Sequence, residues 1–202
     1  MALRFTQTKA AIGKEIDREL AKKVNAKLKK IKPFITRQFR SVITTALLNS
    51  PEVNALAGGD LKAEFGLDFD PTQELVAAIM ATLDVQVKSV TKSRKGGITV
   101  LLQPNDYSNL LSQPWASQTI RNGSIPWLEW LLTLGDSIII SDYGVEFGNF
   151  PDSRSGLAKM ATQVAPYKVN SQYSGTVDSN FITRAIRRVR PELDRIFKGA
   201  LR

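Results

Sequence analysis

No cysteine and no histidine occur among the 202 residues of this chain. The first absence excludes disulfides, thiolate nucleophiles and Cys-ligated zinc or iron–sulfur centres. The second removes the commonest general base and the commonest transition-metal ligand, so carboxylates, lysine, tyrosine and hydroxyls are left for any chemistry. No window approaches the ~18–20 apolar residues a membrane helix needs, and Met1–Gln7 has no continuous apolar stretch of the kind a secretory signal carries. The expectation is a soluble chain made in the cytoplasm, without a membrane partner. Asn122-Gly123-Ser124 matches a glycosylation sequon, but without a secretory route it reads as a turn into the helix that follows.

What is present is basic, and unevenly placed. Residues 1–46 carry 12 Lys and Arg against 3 acids, residues 178–202 carry 7 against 3, and residues 47–177 carry 9 against 13. The two ends therefore carry +13 and the middle −4, which leaves the net charge of +9. Segregation of this kind points to basic arms that meet a polyanion, attached to a body with another task. With 43% hydrophobic residues there is material for one sizeable core.

From Lys9 to Leu48 apolar residues recur at Ile12, Ile16, Leu20, Val24, Leu28, Ile31, Ile35, Phe39 and Val42. The period is slightly longer than the 3.6 residues of an α-helix, so the stripe drifts around the axis. Pro33 lacks an N–H and restrains Lys32, which predicts a kink, or a split into 9–31 and 34–48. Lys14, Arg18, Lys22, Lys23, Lys27, Lys29, Lys30 and Lys32 lie on the polar side. A solvated face of an ordinary amphipathic helix accounts for the same pattern. The organisation read from these features is a basic helical arm over 1–48 and a body over 49–202. A drifting stripe is hard for one small domain to cover, so Ile12, Ile16, Leu20, Val24 and Leu28 are the candidate oligomer-interface residues.

Short, well-punctuated helices follow. Ser50-Pro51-Glu52 is an N-cap with proline at the first helical position, Gly58-Gly59-Asp60 ends that helix and starts another through Phe65, and Asp70-Pro71 opens a third that runs to about Leu83. Val85, Val87 and Val90 move towards a period of two, and Ile98–Leu102 mirrors them across Ser93–Gly97, which predicts a β-hairpin with Lys92, Arg94 and Lys95 at its tip. Ser124–Gly135 reads as a capped helix whose Trp127 and Trp130 share a face with Leu131 and Leu134, a core role more than a ligand platform. Strands are predicted at Ser137–Ser141, Gly144–Phe147 and Leu157–Val164, and 165–177 reads as a loop. Ser179-Asn180 cap a last helix from Phe181 to about Gly199, which Pro191 is expected to distort or break. Its apolar stripe opposes Arg184, Arg187, Arg188, Arg190, Arg195 and Lys198. Arginine suits close phosphate or carboxylate contacts better than simple hydration does. Arg184, Arg187, Arg188, Lys22, Lys23 and Lys27 are the candidate DNA-facing residues, with acidic surfaces such as the middle region of an adjacent subunit as the alternative partner.

No catalytic constellation stands out, and the chain reads as a non-enzyme without a cofactor. There is no glycine-rich phosphate loop, since neither Gly144 nor Gly148 is followed by Lys-Ser/Thr at the required distance. Asp68, Asp70 and Glu74 lack the oxygen ladder of a calcium loop and are better explained as helix caps, so no metal site is assigned. Ser153-Arg154-Ser155-Gly156 has hydroxyls without a base. The fold class is α+β: a long N-terminal helix and helical segment, a small and mostly antiparallel β-sheet, and a basic C-terminal helix.

Five stretches carry a resemblance: Ser50–Gly66 (SPEVNALAGGDLKAEFG), Trp127–Leu132 (WLEWLL), Gly135–Phe147 (GDSIIISDYGVEF), Ser153–Met160 (SRSGLAKM) and Tyr173–Ile186 (YSGTVDSNFITRAI). Together they resemble structural proteins of tailed bacteriophages, and among these most closely the neck and tail-completion group, over roughly residues 50–190. The resemblance implies an α+β subunit of the virion neck that forms a homo-oligomeric ring, commonly sixfold, at the head–tail junction. Its neighbours would be connector or stopper and tail-terminator proteins, and double-stranded DNA would pass through the lumen without sequence readout. A tail-terminator ring and a sequence-independent nucleic-acid-binding module outside a virion are the alternative readings, with an enzyme behind both.

Overall fold

The computed structural model describes residues 9–91, 96–102, 107–120, 123–162 and 165–202. The first helix, α1 (Lys9–Leu48), is one unbroken run of 40 residues through Pro33. The expected split is therefore corrected, and the reason lies in which side the proline occupies. Lys29, Lys32 and Pro33 are exposed, so the carbonyl deprived of its partner meets water. Leu28 on one side of the proline and Ile35, Phe39, Ile43 and Leu47 on the other are buried, and this packing holds the helix on both sides. Thr36 also donates its hydroxyl to the Lys32 carbonyl at 2.9 Å.

The short helices follow the capping signals closely. Helix α2 (Pro51–Gly58) has Ser50 as its N-cap, with the side chain accepting from the Val53 N–H, and α3 (Asp60–Phe65) ends on Gly66 in the left-handed region. Helix α4 (Thr72–Ala81) is preceded by Asp70, whose Oδ1 accepts from the Thr72 N–H at 2.9 Å. That is a capping role for one of the three acids set aside as metal ligands. Arg40 of α1 donates to the carbonyls of Met80 and Leu83 at the far end of α4, where the helix dipole favours a cation.

Strands β1 (Asp84–Lys88) and β2 (Gly97–Leu101) form the expected antiparallel hairpin, with Val85 opposite Val100. Its tip, with Lys92, Arg94 and Lys95, lies outside the described residues, as does Asn122. The hairpin is tied to α1 by Asn25, whose side-chain amide donates to the Val90 carbonyl at 3.0 Å and accepts from the Val90 N–H at 2.7 Å, in the manner of a strand neighbour.

The next elements depart from the expectation. After α5 (Ser108–Leu111) and a 3₁₀ turn (Pro114–Ala116), β3 (Gln118–Ile120) pairs with β4 (Gly123–Ile125), so Ser124 lies in a strand and the helix α6 is confined to Trp127–Leu132. β5 (Ile138–Ile140) pairs with β8 (Tyr167–Lys168), and β6 (Gly144–Phe147) with β7 (Ala158–Ala161), all antiparallel. The segment 165–177 therefore contains a strand, with Tyr167 and Val169 buried. Together these elements make the chain α+β: long terminal helices around small antiparallel two-stranded sheets.

Helix α7 (Phe181–Leu201) also runs unbroken through its proline, Pro191, which is exposed like Arg187 one turn before it. Asn180 caps it in a reciprocal box with Thr183. α7 lies antiparallel along α1: at one end Lys27 donates to the Leu201 carbonyl, and at the other Arg184 reaches Glu52 just beyond the end of α1. The core between these layers holds Phe65, Trp127 and Phe181. The Trp127 ring centroid is 6.1 Å from that of Phe65 and 6.5 Å from that of Trp115, and its indole N–H donates to the Trp115 carbonyl. Trp127 thus has the core role expected of it.

Candidate nucleic-acid interface and an apolar groove

The antiparallel pairing of α1 and α7 brings the two basic ends of the sequence together. Lys22, Lys23, Lys29 and Lys30 on α1 are exposed, as are Arg187, Arg188, Arg190, Arg195 and Lys198 on α7. Five acids stand on the same helices: Glu15 pairs with Arg18, Glu19 lies 4.0 Å from Lys22, Glu192 lies 3.6 Å from Arg195, and Asp17 and Asp194 are exposed. The pairs are exposed i,i+3 contacts, weak enough that a phosphate can replace the carboxylate as partner.

The six residues expected to face DNA are not equivalent. Lys22, Lys23 and Arg188 are exposed, Lys22 with only the loose contact to Glu19. Arg187 is exposed and donates to the Asp178 carbonyl at 3.1 Å, and Lys27 is engaged with the end of α7. Arg184 is different in kind: its guanidinium sits 2.6 Å from Glu52, whose side chain is 4% exposed, and also donates to the carbonyls of Ser174 and Tyr173. It neutralises an interior carboxylate, which withdraws it from the set that can face DNA.

The five stripe residues of α1 divide likewise. Ile12, Ile16 and Leu20 are exposed, the last two by 60% and 58%. Val24 is half-buried, and Leu28 is buried at 2%, at the level where Lys27 meets the end of α7. Leu28 is therefore already covered by the chain itself, which removes it from the inter-chain stripe. Residues 11–20 of α1 are all exposed, over about 15 Å of helix.

Sequence reasoning missed one feature, an open groove of about 400 Å³ between α3 and the short strands. Its walls are Phe65 on α3, Ile120 and Ile125 on β3 and β4, Ile140 and Val145 on β5 and β6, and Met160 and Tyr167 on β7 and β8. Glu64 and Ser153 stand in this apolar surround, and Glu64 Oε2 and Ser153 Oγ are both buried without a hydrogen-bond partner among the described residues. Burial, with the charge of Asp60 one turn away, pushes the Glu64 carboxyl up to about 7. Tyr167 donates its hydroxyl to the Glu64 carbonyl at 3.1 Å, and burial followed by the charge of Glu64 pushes its own ionisation upward. Two exposed cations stand at the rim. Arg154 donates to the Thr119 carbonyl at 2.7 Å, and Lys159 pairs with Glu146 at 3.3 Å while sitting 4.3 Å over the Phe150 ring. The groove was hidden because β3, β4 and β8, which supply part of its wall, are too short to show a strand period.

Among the described residues no group of three or more acids is placed to hold a metal ion, and no helix is long and apolar enough to cross a membrane. No protein-family model, no curated protein and no solved structure matches the chain.

Proposed function

We propose that the chain is a structural subunit of a tailed-phage neck, a homo-oligomeric ring at the head–tail junction that meets connector or stopper and tail-terminator proteins and surrounds double-stranded DNA. The observation that carries the reading is the set of exposed Lys and Arg on the two packed helices α1 and α7, which outnumber the acids on the same helices. Repeated around a ring axis, such a surface attracts phosphates without reading bases, and the attraction requires no cofactor and no catalytic group. The exposed Ile12, Ile16 and Leu20 supply an apolar contact for assembly. The sequence resemblance to neck and tail-completion proteins supports the position in the virion.

The test joins assembly to DNA binding. Electron microscopy of the purified chain is expected to reveal closed rings, and duplex affinity is expected to fall by orders of magnitude between about 50 and 200 mM salt. Replacing Arg187 and Arg188 by Gln should weaken binding equally for unrelated duplex sequences and leave the rings intact. A monomer that binds duplex equally well would instead place the chain among sequence-independent nucleic-acid-binding modules outside a virion.

A further inference from the structure

The groove under α3 has a charge pattern that its apolar walls alone do not reveal. Ile120, Ile125, Val145 and Met160 line it, and Arg154 and Lys159 stand in the same lining, both exposed. Lys159 pairs with its cross-strand partner Glu146 at 3.3 Å, a half-exposed contact that another anion can share. Arg154 gives an N–H to the Thr119 carbonyl, and a guanidinium has further donors to offer. The acid in the lining is Glu64. Burial pushes its carboxyl up to about 7, so below neutral pH it carries little charge, and its free oxygen is enclosed. The groove is therefore apolar along its walls and positive at its rim, a combination that suits an anion with an apolar tail.

We propose that the groove binds a small aliphatic carboxylate, with the alkyl chain on the isoleucine, valine and methionine walls and the carboxylate at the rim with Arg154 and Lys159. The site is separate from the α1 and α7 surface on which the virion reading rests. Size and chemistry choose the occupant. The volume of about 400 Å³ falls among small-molecule sites, which span roughly 300–1,000 Å³. The α1 arm of a second copy would bring Lys14, Arg18, Lys22 and Lys23 against two cations. A peptide segment would set backbone N–H groups against apolar side chains, while the Glu64 carbonyl and the Ser155 hydroxyl already accept from the Tyr167 hydroxyl and the Leu157 N–H. An alkyl chain carries no such groups and gains with each methylene it buries.

Calorimetric titration of the full chain with three ten-carbon amphiphiles tests the site, at about pH 6.5, below the value at which Glu64 ionises. Decanoate is expected to saturate at one molecule per chain and to bind at least about tenfold more tightly than decyltrimethylammonium. Replacing Arg154 and Lys159 together by Gln, both at exposed positions where the fold is not at risk, should weaken decanoate by about tenfold and leave decanol within about twofold. Decanoate with a diazirine on its chain should label the peptides carrying Ile125, Val145 or Met160. Equal affinity for the anionic and cationic amphiphiles, or labels that fall outside the groove, would overturn the proposal. So would a decanoate site that appears only when oligomers are dissociated by dilution, since a second copy would then be the occupant.

Discussion

Asn180 donates its side-chain amide to the hydroxyl of Tyr107 at 2.8 Å, across 73 residues of chain. Both residues are in demanding positions. Asn180 is fully buried and caps α7 through its Oδ1, while its Nδ2 also donates to the Thr176 carbonyl at 3.0 Å. Tyr107 is the one non-glycine residue with positive φ among those described, at 54°. The pair links the start of α7 to the start of α5 and holds a backbone conformation that by itself costs about 1–3 kcal/mol. Asn180→Ala removes the cap and leaves the Tyr107 hydroxyl without its donor. It should cost about 2–3 kcal/mol in urea unfolding, against about 1 kcal/mol for Tyr107→Phe, which leaves the cap in place. Equal losses from the two would show that the cap is not the larger part.

The ion pair of Arg184 and Glu52 gives a second expectation. Removing the arginine leaves a carboxylate that is almost wholly enclosed, so Arg184→Gln should destabilise by about 2–4 kcal/mol. Adding Glu52→Gln removes the stranded charge and should recover part of that loss. Arg188→Gln, on the exposed side of the same helix, should stay within about 0.5 kcal/mol of the wild type. Thermal or urea unfolding of the four proteins separates an interior arginine from a surface one, and any loss of DNA binding in Arg184→Gln would then be read through its stability.

The helices were legible in the sequence because their signals are local. Ser50, Asp70 and Asn180 mark starts by side-chain chemistry alone, and the period of α1 and α7 repeats often enough to be counted. Both prolines misled for one reason: the rule against proline assumes a missing hydrogen bond that matters, and Pro33 and Pro191 both face water. The short strands were less legible. β8 has two residues and β4 three, too few for alternation to register, so Ser124 read as a helix cap. The candidate site was half legible. Charge located the basic helices, but it could not tell that Arg184 turns inward to Glu52, a residue 132 positions away. Nothing in the run Asp60–Phe65 marks Glu64 as a carboxylate with its oxygen enclosed.

Two glycines should respond to alanine in opposite directions. A Cβ at Gly175 would collide with the Leu131 carbonyl oxygen, and the backbone there is fixed by the Gly175 N–H donating to the Trp130 carbonyl and by its carbonyl accepting from the Gly135 N–H. Gly175→Ala must displace α6 and should cost about 3 kcal/mol or more. A Cβ at Gly13, on the exposed part of α1, meets nothing within 4 Å. Gly13→Ala should therefore raise helix content, with a gain of up to about 1 kcal/mol read locally by hydrogen exchange in residues 11–20. A gain at Gly175 would mean that the contact between α6 and the segment before α7 is looser than the geometry here.

The carboxyl of Glu64 makes the stability of the chain depend on pH in an unusual direction. It ionises at about 7 in the folded chain, against 4.5 for the ordinary group, so the folded state holds a proton that the unfolded state releases. Stability from this group is therefore greatest below about pH 4.5, declines as pH rises towards 7, and is level above that. The groups that face it leave the sign unchanged: Asp60 on α3 is acidic, Tyr167 on β8 is a neutral phenol, and Arg154 and Lys159 have partners of their own. Discounted for partial exposure to solvent, the loss is about 1–2 kcal/mol. Glu64→Gln keeps the shape and removes the titration. It should be more stable than the wild type by about that amount at pH 8 and nearly equal to it at about pH 4.5, with urea midpoints at both values as the measurement. An unchanged difference between the two pH values would mean that the carboxyl is already hydrated in the folded chain.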